Sequence, residues 1–277
     1  ETDYEPWLYD RAQLLYVCYF RTGDVKWLRS AVRSSQFYGN HIGATGYFDL
    51  RADDLKYSYG LSPLFSIFTT GDTDQSTVLD KVVLPGRAGA FPYVHTGAQL
   101  WTERHFGYLI EQELANWEYS GNATAYANAK AYLQSGIDQA ASPIAGKTPN
   151  GTVQHSILNH EGGTGGGTGD EMVFSPWMSA IMFNSYFRAF MFSGDNAYPQ
   201  FIAGYAEAFS TAFYVDTWDS QQMTVPWYLA GELNFSDSGV WGDIDHVTDV
   251  ISAMSLILWS KEQIEESTFV TTLKSLE

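Results

Sequence analysis

The stretch YFRTGDVKWL, residues 19–28, sets a threonine, a glycine and an aspartate between two runs of apolar residues with helical period. Glycine in that position stops a helix, because it enters the left-handed conformation at little cost. The acidic residue after it caps the helix that follows. The same plan returns in IFTTGDTDQS (67–76), WEYSGNATAY (117–126) and MFSGDNAYPQ (191–200). Gly23, Gly71, Gly121 and Gly194 therefore mark four tight turns between helices, spaced by 48, 50 and 73 residues.

The runs before the turns carry the helical repeat. In FGYLIEQELANWEYSG, Phe106, Leu109, Ile110, Glu113, Leu114 and Trp117 recur at three and four, the mark of an amphipathic helix. SPWMSAIMFNSYFRAFMFSGD is apolar almost all round and predicts a helix covered on most sides. The runs after the turns, such as NATAYANAKAYLQSGI, are more polar on one face. A last pair is expected from DIDHVTDVISAMSLILWS followed by KEQIEESTFVTTLKSL. No strand ladder is expected beyond local pairing of pieces such as MTVPWYLA.

The expectation is an all-α fold: an α/α toroid of about five hairpins, with inner helices lining a ring and outer helices covering it. Fewer pairs than a closed ring takes imply an open or incomplete barrel, or a missing N-terminal portion. Residues 1–277 are read as one catalytic domain.

Composition narrows the function. The net charge is −17 and no basic run occurs, which excludes a counterion-releasing nucleic-acid face. No apolar stretch is long enough to span a membrane, so no membrane partner is expected. One cysteine, Cys18 within LLYVCYF, permits no intrachain disulfide and reads as buried filler. An acidic surface and a start at Glu1 without a leader fit a mature chain, secreted or periplasmic. Aromatics make up 16% of the residues, and flat exposed rings are one way to hold sugars.

The polar residues concentrate in the long segments that enter the inner helices. All six histidines, His41, His95, His105, His155, His160 and His246, fall there, with Trp7, Trp101, Trp177, Trp227 and Trp241 at or near the same rim. In WTERHF, capping explains Thr102 and Glu103 but leaves Arg104 unfavourable at a positive helix end. A shared cleft explains all of Glu103, Arg104 and His105. The glycine run EGGTGGGTGDE (161–171) lacks the Lys-Ser/Thr ending of a phosphate loop and fits a lid or tight loop better. No HExxH or paired-His spacing occurs, and no metal or other cofactor is expected; His155 and His160 with Glu161 are the one set that could bind a metal.

Hairpins punctuated by these TGD-like turns, with aromatic, His and Arg residues on one rim, resemble the α/α-toroid polysaccharide lyases that act on uronic-acid polymers, such as alginate and glucuronan lyases. The resemblance implies a polysaccharide substrate and β-elimination. In such lyases an Asn or a Glu/His/Arg group offsets the C5 carboxylate, and a Tyr or His removes the C5 proton. The Tyr often also protonates the leaving oxygen. Carried onto this chain, the candidates are Glu103, Arg104, His105, Asn159, His160 and Tyr59 for catalysis, and Trp7, Tyr57, Trp101, Glu161, Trp177 and His246 for substrate binding. Asn40-His41 is a further Asn-His pair.

Two other readings stand beside it. An α/α-barrel glycoside hydrolase needs two carboxyl groups across the cleft, and Glu103, Glu161, Asp170, Glu171, Asp243 and Asp245 supply pairs. A non-catalytic scaffold would bind a glycan without turnover and tolerate His105→Ala.

Overall fold

Four left-handed glycines decide where the chain folds back. The computed structural model describes residues 5–51, 54–90, 102–142, 151–157, 160, 171–237 and 239–274. Its helices are α1 (Arg11–Thr22), α2 (Val25–Asn40), α3 (Leu61–Thr70), α4 (Ser76–Val82), α5 (Glu103–Ser120), α6 (Ala123–Ala141), α7 (Met178–Ser193), α8 (Ala197–Gly204), α9 (Ala206–Ser210), α10 (Val240–Ile244) and α11 (Val247–Lys274). Its strands are β1 (His155–Ser156), β2 (Met172–Phe174), β3 (Phe213–Trp218), β4 (Gln221–Pro226) and β5 (Ala230–Gly231). The chain is mostly helical, as the repeats require.

Each repeat closes in the same way. Gly23, Gly71, Gly121 and Gly194 have φ of 68°, 76°, 68° and 67°. A Cβ added at any of them would meet nothing within 4 Å, so the backbone angle, not crowding, demands glycine. Each glycine N–H returns to the carbonyl four residues back, for example Gly121 to Trp117 at 2.7 Å. The Asp or Asn that follows caps the next helix: Asp24 accepts from the Lys26 N–H at 2.9 Å and Asn122 from the Thr124 N–H at 2.9 Å.

The Ser or Thr has a role the sequence reading did not assign. Thr22, Thr70, Ser120 and Ser193 each donate to the carbonyl four residues earlier, at 2.7–2.8 Å. Each also accepts the N–H of the capping residue two positions on, at 3.1–3.2 Å. One hydroxyl thus satisfies an orphan carbonyl and locks the turn.

Contacts divide the chain into two compact units: Glu1–Pro92 with Tyr108–Tyr132, and Tyr93–Gly107 with Leu133–Glu277. In the first, α1, α2 and α3 pack on one another and α3 packs on α4. Asp10 ties two helix starts together, accepting the Gln13 N–H with one oxygen and the Ser62 N–H with the other, both at 3.0 Å. Burial pushes its carboxyl up to about 6, against the pull of those hydrogen bonds. Cys18 is partly rather than fully buried.

In the second unit, α5 begins in direct contact with α7. A Cβ at Gly107 would lie 2.8 Å from the Met182 backbone nitrogen, and Ser185 donates to the Gly107 carbonyl at 2.8 Å. That close approach fixes the first turn of α5 against the start of α7. β1, β2 and β5 form a small antiparallel sheet with His155 opposite Val173 and Val173 opposite Gly231. α11 packs on α7 and α8, burying Val250, Ala253 and Ile257.

Three expectations are corrected. The last helix pair is a single 28-residue helix, α11, because nothing near Ser260-Lys261 can stop it: neither glycine nor proline intervenes. The local pairing expected of MTVPWYLA does occur, at Met223–Pro226, but it belongs to a longer ladder: β3 and β4 make a six-pair hairpin running from Phe213↔Pro226 to Trp218↔Gln221. Its two-residue turn is Asp219-Ser220, both with positive φ (48° and 61°), the geometry that matches strand twist. Finally, α5 is not amphipathic in place, since every residue from Glu103 to Asn116 is buried.

Candidate functional site

The first turn of α5 meets the β1–β2–β5 sheet, and there the buried polar residues converge. Glu103 is fully buried, and its Oε1 accepts the Ser175 N–H at 3.0 Å. The same oxygen lies 3.4 Å from His155 Nδ1. His155 sits on β1, where the extended strand turns its ring inward, and its Nε2 is 2.9 Å from His160 Nδ1. The two rings stack at 5.1 Å between centroids, 22° apart. His155 and His160 are both buried.

At 3.4 Å the Glu103–His155 approach is an ion-pair contact and not a hydrogen bond, and His155 Nδ1 has no hydrogen-bond partner among the described residues. The direction of the His155–His160 contact follows the tautomer. A proton on His155 Nδ1 would face the carboxylate, leave the Nε2 lone pair to take the His160 Nδ1 proton, and set the lone pair of His160 on Nε2. The second oxygen of Glu103, Oε2, has no hydrogen-bond partner among the described residues.

An aromatic wall adjoins the row. The edge of Tyr228 meets His160 at 5.3 Å with rings perpendicular. Tyr228 also lies 6.0 Å from Trp177 and 5.6 Å from His246. Trp177 stacks on His246 at 4.0 Å and 8°, and the Arg104 guanidinium lies over the Trp177 ring at 5.3 Å. Cation and π-face attract when water is excluded, and Arg104 is buried. His246 is the partly open member of this wall, its side chain 20% exposed.

Of the sequence candidates, Glu103, Arg104, His160, Trp177 and His246 thus come together. His105 is turned aside onto its own helix start, its Nδ1 at 2.6 Å from the Thr102 hydroxyl. His246 also approaches Asp249 at 3.8 Å. Asn159, Glu161, Trp101, His95, Asp170 and the glycine run up to position 170 lie outside the described residues. Trp7, Tyr57 and Tyr59 are core residues of the first unit. Trp7 stacks on Phe37 at 4.8 Å and lies against Phe48, which makes it packing between α2 and the segment that follows it. Tyr57 stacks on Phe48, and the Tyr59 hydroxyl lies on the carbonyls of Trp7 and Lys56 at 2.8 and 2.5 Å. His41, at the end of α2, holds Asp49 at 2.8 Å.

Sequence reasoning missed Tyr228 and Ser175 and did not cast His155 as the middle of a chain. The signal for Tyr228 is weak, an aromatic after the PW of MTVPWYLA. Ser175 acts through its backbone N–H, which no residue type announces.

Among the described residues, no helix is long and apolar enough to cross a membrane, and no three His, Cys, Asp or Glu side chains are arranged to hold a metal ion. No protein-family model, curated protein or solved structure matches this chain.

Proposed function

We propose that this chain is a polysaccharide lyase, cleaving a uronic-acid-containing polymer of the alginate or glucuronan type by β-elimination on an open α/α-toroid scaffold. The observation that carries the reading is the Glu103–His155–His160 row beside the buried Arg104. Elimination requires loss of the proton at C5, which is weakly acidic until the neighbouring carboxylate is offset. Arg104 supplies the offsetting charge. His160 Nε2 takes the C5 proton, and His155 and Glu103 stabilise the imidazolium that forms.

The electron pair left at C5 then forms the C4–C5 double bond as the C4–O bond breaks. The departing oxygen takes up a proton, for which Tyr228 offers a hydroxyl in the same cluster. The chain would work outside the cytoplasm on a soluble glycan, with no nucleic-acid or membrane partner.

Hydrolysis by a carboxylate pair finds less support. Asp243 has one oxygen on the Asp237 N–H at 3.1 Å and the other on the Tyr214 hydroxyl at 2.7 Å. Glu103 is committed to His155. The test is ultraviolet absorbance of the unsaturated product while the protein is incubated separately with alginate, glucuronan and pectic acid. A rise with one polymer, lost in His160→Ala and in Arg104→Ala, supports elimination. New reducing ends on a neutral glycan without that absorbance would replace it with hydrolysis.

A further inference from the structure

The second of the four glycine turns differs from the other three. Between its capping Asp72 and the start of α4 it inserts a short 3-10 turn, Thr73–Gln75. The inserted turn carries Asp74 and Gln75. With Asp72 they line a cavity of about 480 Å³ against Val32, Gln36 and Asn40, which recur every four residues along one face of α2. That volume falls within the range of about 300–1,000 Å³ typical of small-molecule sites. The elimination uses none of these residues.

Gln75 is the buried member of the lining, only 6% exposed. The Ser35 hydroxyl reaches its Oε1 at 3.5 Å, while its amide nitrogen has no hydrogen-bond partner among the described residues. A buried amide donor left open costs free energy unless something in the cavity accepts from it. Gly39, in the last turn of α2, seats that amide. A Cβ there would lie 3.0 Å from Gln75 Oε1 and 3.2 Å from its nitrogen. The helix thus gives up a side chain at the point where the amide meets it.

The lining selects its occupant. Asp72 gives one oxygen to the Asp74 N–H at 3.3 Å, and the side chains of Gln36, Asn40 and Asp74 are committed to no described residue. No Lys, Arg or aromatic ring is among the lining residues. Two carboxylates without a cation repel an anion. A metal ion or an ammonium would meet the carboxylates but leave the Gln75 N–H groups unmatched. A hydroxyl both donates and accepts, so a neutral polyhydroxylated molecule answers the carboxylates and the amides together. We propose that the cavity between α2 and the α3–α4 turn is a binding site for a small neutral saccharide, held by hydrogen bonds rather than by stacking. The site lies wholly within the first unit and does not rest on the elimination reading. The uronate polymer, being anionic, is not its occupant.

The experiment is saturation-transfer NMR of the full chain with maltose, cellobiose and lactose, and with glucuronate and spermidine as charged controls. At least one disaccharide should bind, and neither control should displace it. Asp74→Ala and Gln36→Ala remove exposed side chains, and each should weaken that binding on the order of threefold to tenfold with melting curves unchanged. Gln75→Met keeps the bulk of the buried side chain and removes its donor, and should weaken binding at least as much in protein that still melts cooperatively. Binding unchanged in Asp74→Ala and Gln36→Ala would move the saccharide elsewhere and overturn the site. So would the absence of transfer to all three disaccharides. Displacement by spermidine would make the cavity a cation site and overturn the saccharide.

Discussion

Of the three buried glutamates on helix α5, Glu103 and Glu113 lie ten residues apart and are held in opposite ways. Glu113 is gripped on both oxygens by Arg87, at 2.7 and 2.6 Å, and takes a third hydrogen bond from Asn128 at 3.0 Å. Its neighbours follow suit, with Gln112 donating to the Ser58 carbonyl at 2.6 Å and Asn116 to Asp80 at 3.0 Å. Glu103 has one backbone N–H and a histidine on one oxygen, and no partner among the described residues for the other. A charge closed by a guanidinium fork is scaffold, because nothing remains for it to do. A carboxylate set against one ring of a stacked pair is placed to steady a charge that forms on that ring.

The sharpest way to break this contrast is to neutralise each glutamate alone. Glu103→Gln should lower the rate of elimination on the order of 10²-fold or more while unfolding curves stay near wild type. Glu113→Gln should do the reverse, costing about 2 kcal/mol in denaturant titration with the rate per folded molecule preserved, since Arg87 is left beside a neutral amide. Equal behaviour of the two variants would erase the distinction.

A buried carboxylate without a cation gives the next largest effect. Asp10 has its acid form favoured by burial, with its folded value raised from 3.8 to about 6. Between those values the folded chain binds more protons than the unfolded one, so stability falls as pH rises through that window. The loss is on the order of 3 kcal/mol and is complete above the folded value. Asp10→Asn should flatten the slope of stability against pH in that range; an unchanged slope would assign it to another group.

The smallest effect lies in the turns. Ser120→Ala removes a hydroxyl that serves both an orphan carbonyl and the N–H of Asn122, and should cost about 1 kcal/mol by thermal melting. Gly121→Ala adds strain at φ 68° and should cost at least as much.

Those turns were legible in the sequence because their chemistry is local: a left-handed glycine, its capping Asp or Asn, and a hydroxyl, all within three residues. The fused last helix was legible too, had the missing glycine near Ser260 been weighed against the polar run that follows it. The β3–β4 hairpin hid behind Asp219-Ser220, which adopts a turn usually signalled by Asn-Gly. The polar side of α5 read only as one face of an amphipathic helix because its partners, Ser58, Asp80 and Arg87, lie far back in the chain.

The site was half legible for the same reason. Glu103, Arg104, His160, Trp177 and His246 were picked out by type and by clustering before helix starts. Their arrangement depends on β1 bringing His155 to a helix 52 residues earlier, which no local pattern encodes. The tyrosines failed as candidates because Tyr57 and Tyr59 look alike whether they face a cleft or a core, and here both are buried.

The direction of the histidine row is the central claim, and nitrogen NMR of selectively labelled His155 and His160 reads it directly. Both rings should carry their proton on Nδ1 in the neutral form, with the His160 Nε2 resonance that of an unprotonated nitrogen, and Glu103→Gln should disturb His155 first. A His160 protonated on Nε2, with its Nδ1 accepting from His155, would reverse the row and contradict its role as base.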